Sequence, residues 1–544
     1  MKTSKILSQL RNRLVYVALL VLFVRLLGVS YVYTLPLLCL IYFVYIRVPS
    51  LFIYTGFLLV LMLISTSFII LEPNSLKAVY VKGDIKTTDI TSFTAVQNGL
   101  VFKVYTDQVV NLVPGDKVMI EGDMQEMINQ TIPHTFNYKN YLLSKRIKYT
   151  VFTEKIDVIG HRFSFQSIRD TIANYIDKNA PLSGHYIKTF VLADQSGFEE
   201  DIKEDVNVLG ISHLFAVSGL HIGLLTMAIN RIMKKFYPKV SPQKVVIPIL
   251  LLYIILTSFS PSVVRAGCLY FGIVLNKRYK LEFSLLDILS IIFLMYLIVS
   301  PYSIYSLGFS LSFLVTFSII LGQYMLKDKT KTVQLLVISI IAMLIALPIT
   351  VNINKEINLL TIVFNVLLIY GMSFVILPLG YITFILPFLD SLYYKLIRLY
   401  ELVIQAMARI TILRFDFVFT SHLLILVYYV LVLLLFISFG KNTMKRQIAL
   451  LLAFLLLSSN IQLLNPVKSV TMIDIYGDSI FVKDSFDRCN VLIDTGDIDD
   501  YDSVISYIKG MGIHTIDYLI ITHEHADHNG ERKDLKSEFK VMNE

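Results

Sequence analysis

"LGISHLFAVSGLHIGLL", residues 209–225, is the stretch that decides what kind of chain this is. Apolar residues fill nearly every position, yet two imidazoles, His213 and His221, stand eight residues apart with Ser218 and Gly219 between them. On a continuous helix that spacing puts both rings on one face. A neutral imidazole among apolar helices either bonds to a neighbouring helix or lines a polar route, and spacing alone leaves both readings open. A second stretch, "SFSPSVVRAG" at 258–267, places Arg265 in an apolar hairpin just after Pro261. A lone charge there costs at least a few kcal/mol unless it is paired or wet. It is either a site residue or a structural arginine bonded to backbone carbonyls where the helix breaks.

The rest of the sequence supplies the apolar setting. Of its 544 residues 55% are hydrophobic and only 17% charged, and the mean hydropathy is +0.66, outside the range of soluble domains. About ten apolar runs approach the roughly 20 residues that cross a bilayer. The first follows Lys2, Lys5, Arg11 and Arg13 with no small-residue cleavage signature, so it reads as an uncleaved span. The net charge of +8 gathers in short loops: Arg231 to Lys244, Lys277 to Lys280, Lys327 to Lys331 and Lys441 to Arg446. That is the charge pattern of cytoplasmic loops rather than of a polyanion-binding face. Cys39, Cys268 and Cys489 lie too far apart for a disulfide framework.

Counting spans from those loops puts the N-terminus inside. Three spans, about 14–29, 31–46 and 50–71, then deliver residues 75–160 to the extracytoplasmic side, and later crossings deliver 468–544 to the same side. Residues 75–160 read as four or five short strands, which fits a small OB-like barrel. Phe93, Phe102 and Tyr105 there suit a barrel core better than a base-stacking platform. Residues 163–178 and 392–410 have the pattern of interfacial amphipathic helices. Between 358 and 439, Pro378 and Pro387 interrupt the spans. The C-terminal segment reads as strands in "SVTMIDI", "SIFVKD", "NVLIDTG" and "TIDYLIITH", with a helix in "YDSVISYIKGMG", the start of an α/β layered domain.

That last strand runs into His523-Glu524-His525-Ala526-Asp527-His528. His523, His525, Asp527 and His528 alternate on a tight loop, so two imidazoles can hold one divalent ion while Asp527 and His528 hold a second. Two ions a few ångströms apart clamp a phosphate and generate hydroxide, with Asp527 the candidate catalytic group. Together with Asp494-Thr495-Gly496 upstream, this run resembles the metallo-β-lactamase superfamily. Asp474 and Asp494 are the candidates to support the ligands from behind. In that superfamily a later His, a bridging Asp and a final His complete the site. No histidine follows His528 here, and "DIYGDS" at 474–479 is one residue short of the turn that opens such domains. The expectation is a partial domain that binds zinc or manganese weakly and lacks nuclease activity.

Over most of its length the sequence is similar to the ComEC family of competence DNA-uptake channels. Residues 192–224, "SPSVVRAG" at 260–267 and "SPYSIYSLGFSLSFL" at 300–314 carry the likeness, with "HTFNYKNYLLSKRI" at 134–147 and the histidine run. The resemblance implies a multi-pass α-helical membrane protein with an extracellular OB-like β-barrel and a partial α/β metallo-β-lactamase-like C-terminal domain. The expected boundaries are 1–72 for N-terminal helices, 73–160 for the barrel, 161–182 for an interfacial helix, 183–465 for the channel and 466–544 for the C-terminal domain. It further implies a channel carrying single-stranded DNA across the cytoplasmic membrane in natural transformation. Asp194, His213, Ser218, His221 and Arg265 would be its polar intramembrane groups. Implied partners are single-stranded DNA, a membrane DNA receptor and a cytoplasmic DNA-translocating ATPase, with homo-oligomerisation left open. The rival readings are a membrane-anchored metal-dependent phosphoesterase and a small-solute permease; no internal repeat favours the permease.

Overall fold

In the computed structural model the described residues are 10–48, 56, 79–83, 92–97, 100–107, 112–498, 501–530 and 532–544. The expected third span, about 50–71, therefore lies outside them apart from Gly56. The chain divides into two compact units: Met1–Ile128 with Lys139–Leu321 and Thr361–Ile410, and Asn129–Tyr138 with Gly322–Leu360 and Thr411–Glu544.

The first unit holds a closed five-stranded barrel: β1 (Val79–Gly83), β2 (Ser92–Gln97), β3 (Leu100–Thr106), β4 (Asp116–Glu126) and β5 (Ile147–His161), in the order β1-β2-β3-β5-β4. β3 and β5 run parallel and the other pairs antiparallel. Period-two alternation fills the interior with Phe102 and Val104, Val118 and Ile120, Tyr149 and Val151. β4 kinks between Glu121 and Gly122, where a Cβ would lie 2.1 Å from the Phe152 carbonyl oxygen, so only glycine fits the bulge. Phe93 and Phe102 are core as expected. Tyr105 is not: its ring lies outside the barrel, stacked on exposed Phe152 at 5.3 Å.

The remainder of this unit is helical. Leu14–Leu26 packs on Leu285–Val299 through Val17, Val21, Leu289 and Phe293, with Phe309 and Phe313 behind. The hairpin that holds Arg265 appears as Gln243–Leu256 with Pro261–Tyr279, and a second one as Leu285–Val299 with Leu307–Leu321. The amphipathic helices run over Phe165–Asn179 and Asp390–Ala408, and Phe165, Ile168 and Tyr175 leave an apolar stripe of the first exposed. Pro378 does not break its helix. A π turn at Met372–Ile376 absorbs the missing donor, and the run Thr361–Ile385 stays helical throughout.

Among the described residues three helical runs are long and apolar enough to cross a bilayer: Ser212–Phe236, which opens at Ala216–Ser218, Lys331–Asn354 and Thr361–Ile385. Six shorter apolar helices of 10–17 residues accompany them. Breaks at helix ends account for the difference from the run lengths read in the sequence. At 1.5 Å per residue a sixteen-residue helix spans about 24 Å, less than the hydrocarbon thickness. Exposed Leu251, Leu252 and Leu433 give these helices, and exposed Leu452 and Leu456 give Met444–Ser459, a greasy exterior that water would not tolerate.

The second unit contains Lys331–Asn354, His422–Ile437 and Met444–Ser459, a short ribbon of β6 (Glu356–Asn358) and β7 (Arg414–Asp416), and a five-stranded sheet. That sheet comprises β8 (Ser469–Met472), β9 (Ile480–Lys483), β10 (Asn490–Ile493), β11 (Thr515–Ile520) and β12 (Lys540–Asn543), ordered β12-β11-β10-β9-β8. One face packs Phe481, Leu492 and Leu519 beneath Val504, Ile508 and Leu535 of two helices. The other carries two registered apolar rows, Val470-Val482-Val491-Tyr518 and Met472-Ile480-Ile493-Ile520, whose ends are exposed. β12 and the helix Arg532–Glu538 have no counterpart in the sequence expectations.

Candidate functional site

The stretch that opened the sequence reading is not one helix. Ser212–Phe215 forms a short turn, the chain opens at Ala216 to Ser218, and a new helix runs over Gly219–Phe236. His213 and His221 therefore do not share a continuous helical face, which corrects the expectation. The cause is local. The Ser218 Oγ accepts the Leu220 N–H at 3.2 Å, and the His221 Nδ1 accepts the Ser218 N–H at 3.2 Å, closing a capping box. His213 is exposed and bonded to Asn365 and the Gly210 backbone. His221 is 1% exposed. Because its Nδ1 accepts, the neutral ring carries its proton on Nε2, and that buried Nε2 has no hydrogen-bond partner.

Arg265 stands in the second turn of Pro261–Tyr279 and is 8% exposed. Its Nη2 lies 3.0 Å from where a Cβ on Gly219 would sit, so the guanidinium covers the first residue of the capped helix. The Nε has no partner, and among the described residues no hydrogen bond or ion pair reaches this side chain. Among the described residues no backbone carbonyl binds it. The other buried charges of this unit behave oppositely. Asp287 accepts from Asn12, Leu14 and Ser284 N–H groups and the Ser284 hydroxyl; Asp390 accepts from the Leu182 and Ser183 N–H groups and the Ser183 hydroxyl. Glu401 takes the Tyr186 hydroxyl and, at 2.7 Å, Arg398. Asp194 accepts the Ser196 N–H at 3.0 Å within its own turn, and no ion pair ties it to Arg265. Sequence reading missed Asp287, Asp390 and Glu401; only Ser284-x-x-Asp287 announced itself, as a capping pattern.

The histidine loop follows β11. Asp494, at a left-handed φ of 59°, is 4% exposed and accepts three donors: the Thr522 N–H and hydroxyl, both at 2.7 Å, and the His528 Nδ1 at 2.9 Å. Burial pushes this carboxyl up, but the Thr522 and His528 bonds outweigh it and hold it below the usual range. The same bond raises the pKa of His528. The His523 ring centroid lies 3.8 Å from that of His528 and 4.7 Å from that of His525. The His528 Nε2 faces Asp527 at 3.6 Å and Asp478 at 3.9 Å. Asp494 is thus bonded to Thr522 and His528 of the loop. Asp474 is exposed with no bond to it, and Asp478 takes its place. The clue was Gly477, where a Cβ would meet the Asp527 carbonyl oxygen at 2.2 Å: the "DIYGDS" turn lies against the loop.

The donor types suit a divalent ion, but their placement does not. Among the described residues no three His, Cys, Asp or Glu side chains converge as a metal centre, and His523, His525 and Asp527 open to solvent. The residues as placed do not fit a metal pair, and no chemical step is derived through one.

Three membrane-length helices and the greasy shorter ones define a membrane protein, and the histidine loop a metallo-β-lactamase-like segment. Residues 190–442 match the competence protein family, and 473–543 match the metallo-beta-lactamase superfamily. The chain is thus similar to the competence protein family over 190–442, with the lactamase-like segment following later in the sequence. It is 28% identical over 474 residues to ComE operon protein 3 of Bacillus subtilis (strain 168), covering 80% of this chain and 61% of that protein. It is 27% identical over 221 residues to the uncharacterized protein MG316 of Mycoplasma genitalium, covering 39% of this chain and 56% of that one. The chain thus spans between about half and three fifths of the length of the curated relatives it matches. No solved structure matches it.

Proposed function

We propose that this chain forms the route by which a single DNA strand crosses the cytoplasmic membrane in competence. The observation that carries the reading is the competence match over 190–442, which spans the helices holding His221 and the unpaired Arg265. A strand of phosphates needs a polar, cationic passage through hydrocarbon, and a buried guanidinium without an internal partner provides one element of it.

The barrel is read as an OB-type domain, from its strand order and the parallel β3–β5 pair. With basic loops inside, the N-terminus is cytoplasmic, while 75–160 and 468–544 are extracytoplasmic. A membrane DNA receptor would deliver the strand, a cytoplasmic ATPase would pull it, and copies of the chain would associate. The histidine loop binds zinc or manganese weakly and cuts no DNA. A phosphoesterase reading would need the loop's donors to converge.

Uptake of a labelled strand by intact cells tests the reading. Cells with the chain should internalise the label, and deletion should abolish it. Equal uptake with and without the chain would refute the proposal. Cysteines replacing Glu154 and Asp502, in a background lacking Cys39, Cys268 and Cys489, should both react with an impermeant thiol reagent from outside. Protection of either would overturn the topology.

A further inference from the structure

We propose that Arg265 and the first turn of the helix Gly219–Phe236 form a subsite for one phosphodiester group of a nucleic-acid backbone. The inference rests on the strand-transport reading and adds to it the atoms that grip the strand.

Two independent observations point to an anionic ligand. The first is the helix start itself. An eighteen-residue helix begins at Gly219 with the positive end of its dipole turned to the end where Arg265 lies, although Ser218 already caps the N–H groups of Leu220 and Ile222. The second is a set of buried donors without acceptors. The Arg265 Nε and the His221 Nε2 are both buried and unpartnered, on side chains 8% and 1% exposed. Buried donors in native proteins are satisfied almost without exception, so two orphans beside one helix start mark a place where an acceptor belongs. An apolar ligand would leave both unmet. A cation would meet the guanidinium head-on.

Phosphodiester chemistry fits best among anions. Its two unesterified oxygens match the planar fork of a guanidinium, which lysine would meet only as a point charge. Gly219 supports the assignment. Any side chain there would press on Nη2 at 3.0 Å, so glycine leaves room for the guanidinium at the helix end. The neutral imidazole of His221 is locked by the capping box in the first turn of the same helix, with its Nε2 buried and unpartnered. A single fixed cation at a helix start grips a phosphate and still lets it go, which a moving strand requires. Phosphodiesters also occur in lipid headgroups. The commitment here is to nucleic acid, and a lipid source is an outcome of the test.

The experiment uses the full chain in a phosphate-free detergent. Binding of fluorescent oligothymidylate is followed by anisotropy across a salt series, for wild type, Arg265→Gln, Arg265→Lys and Gly219→Ala. Arg265→Gln should weaken binding at least tenfold and reduce the salt slope by about 0.7, the value for one phosphate contact on a single strand. Arg265→Lys should weaken it less, and Gly219→Ala should fall between lysine and wild type. An oligothymidylate with a neutral methylphosphonate backbone, tested on wild type, needs no variant to fold and should bind at least tenfold more weakly than the natural one. Equal affinity of wild type and Arg265→Gln would overturn the proposal. So would equal binding of the two backbones, or Arg265-dependent binding of short-chain phosphatidylglycerol but not of the oligonucleotide. Strand flux in vesicles separates this inference from its parent. Arg265-dependent binding without flux refutes the transport reading and keeps the subsite; flux with Arg265-independent binding does the reverse.

Discussion

Asp494 and Arg265 are equally hidden charges, 4% and 8% exposed, in opposite circumstances. Asp494 collects three donors from Thr522 and His528 and thereby fastens the end of β10 to the histidine loop. Among the described residues Arg265 collects none. A buried charge whose partners are all present explains itself as architecture. One whose partners are missing is stable only if something outside the described chain supplies them, or if the fold tolerates the cost for a function. The loud motif of the sequence thus proves well-knit internally, and the quieter arginine is the feature left needing a ligand.

That contrast can be broken by substitution. Asp494→Ala should cost the C-terminal segment about 3 kcal/mol, because two Thr522 donors and one His528 donor lose a charged acceptor. Limited proteolysis of the full chain in detergent should then cut near residues 520–530 far sooner than in wild type. Unchanged protection would mean the three bonds contribute little. Arg265→Gln should move stability the other way, raising it by about 1 kcal/mol in ligand-free detergent, since it relieves a buried charge and breaks no bond. A lower unfolding midpoint would reveal an internal partner and weaken the contrast.

Smaller effects sharpen it. Ser218→Ala removes the cap of Gly219–Phe236 and should cost about 1 kcal/mol, with Ser218→Asn restoring most of it. No change for the alanine variant would mean the helix start does not depend on the capping box. Zinc or manganese at about 10 µM should stabilise the chain by less than about 0.5 kcal/mol, as expected when metal barely reaches its dissociation constant. A larger shift, abolished in a His523→Ala, Asp527→Ala double variant, would show that the loop closes around metal.

Much of the architecture was legible beforehand, for physical reasons. Strand alternation in 79–161 and 469–520 marks the strands found there except β2 (Ser92–Gln97), because period-two burial is written in adjacent residues. The hairpins around Pro261 and Ser284 follow from Pro at a helix start and a Ser-x-x-Asp cap. The break inside 209–225 was not read, although Ser218-Gly219 is a helix-start signal, because continuous hydrophobicity outweighed it. Arg532–Glu538 and β12 were missed because Leu535, Phe539 and the partly buried Val541 anchor them, too few residues to show a period. The loop's ligand types were visible, but the convergence of side chains depends on tertiary placement that motif spacing does not encode. The solitude of Arg265 is likewise a three-dimensional fact: no sequence states which donors lack partners.

The most direct measurement is flux. The full chain, reconstituted into vesicles that hold a nuclease, is given a labelled single strand outside and an inward-positive ion gradient to draw the polyanion in. Wild type should release label-derived nucleotides inside, and Arg265→Gln should do so at least tenfold more slowly at equal protein density. Equal rates for the two, or no entry with correctly folded wild type, would contradict the central claim.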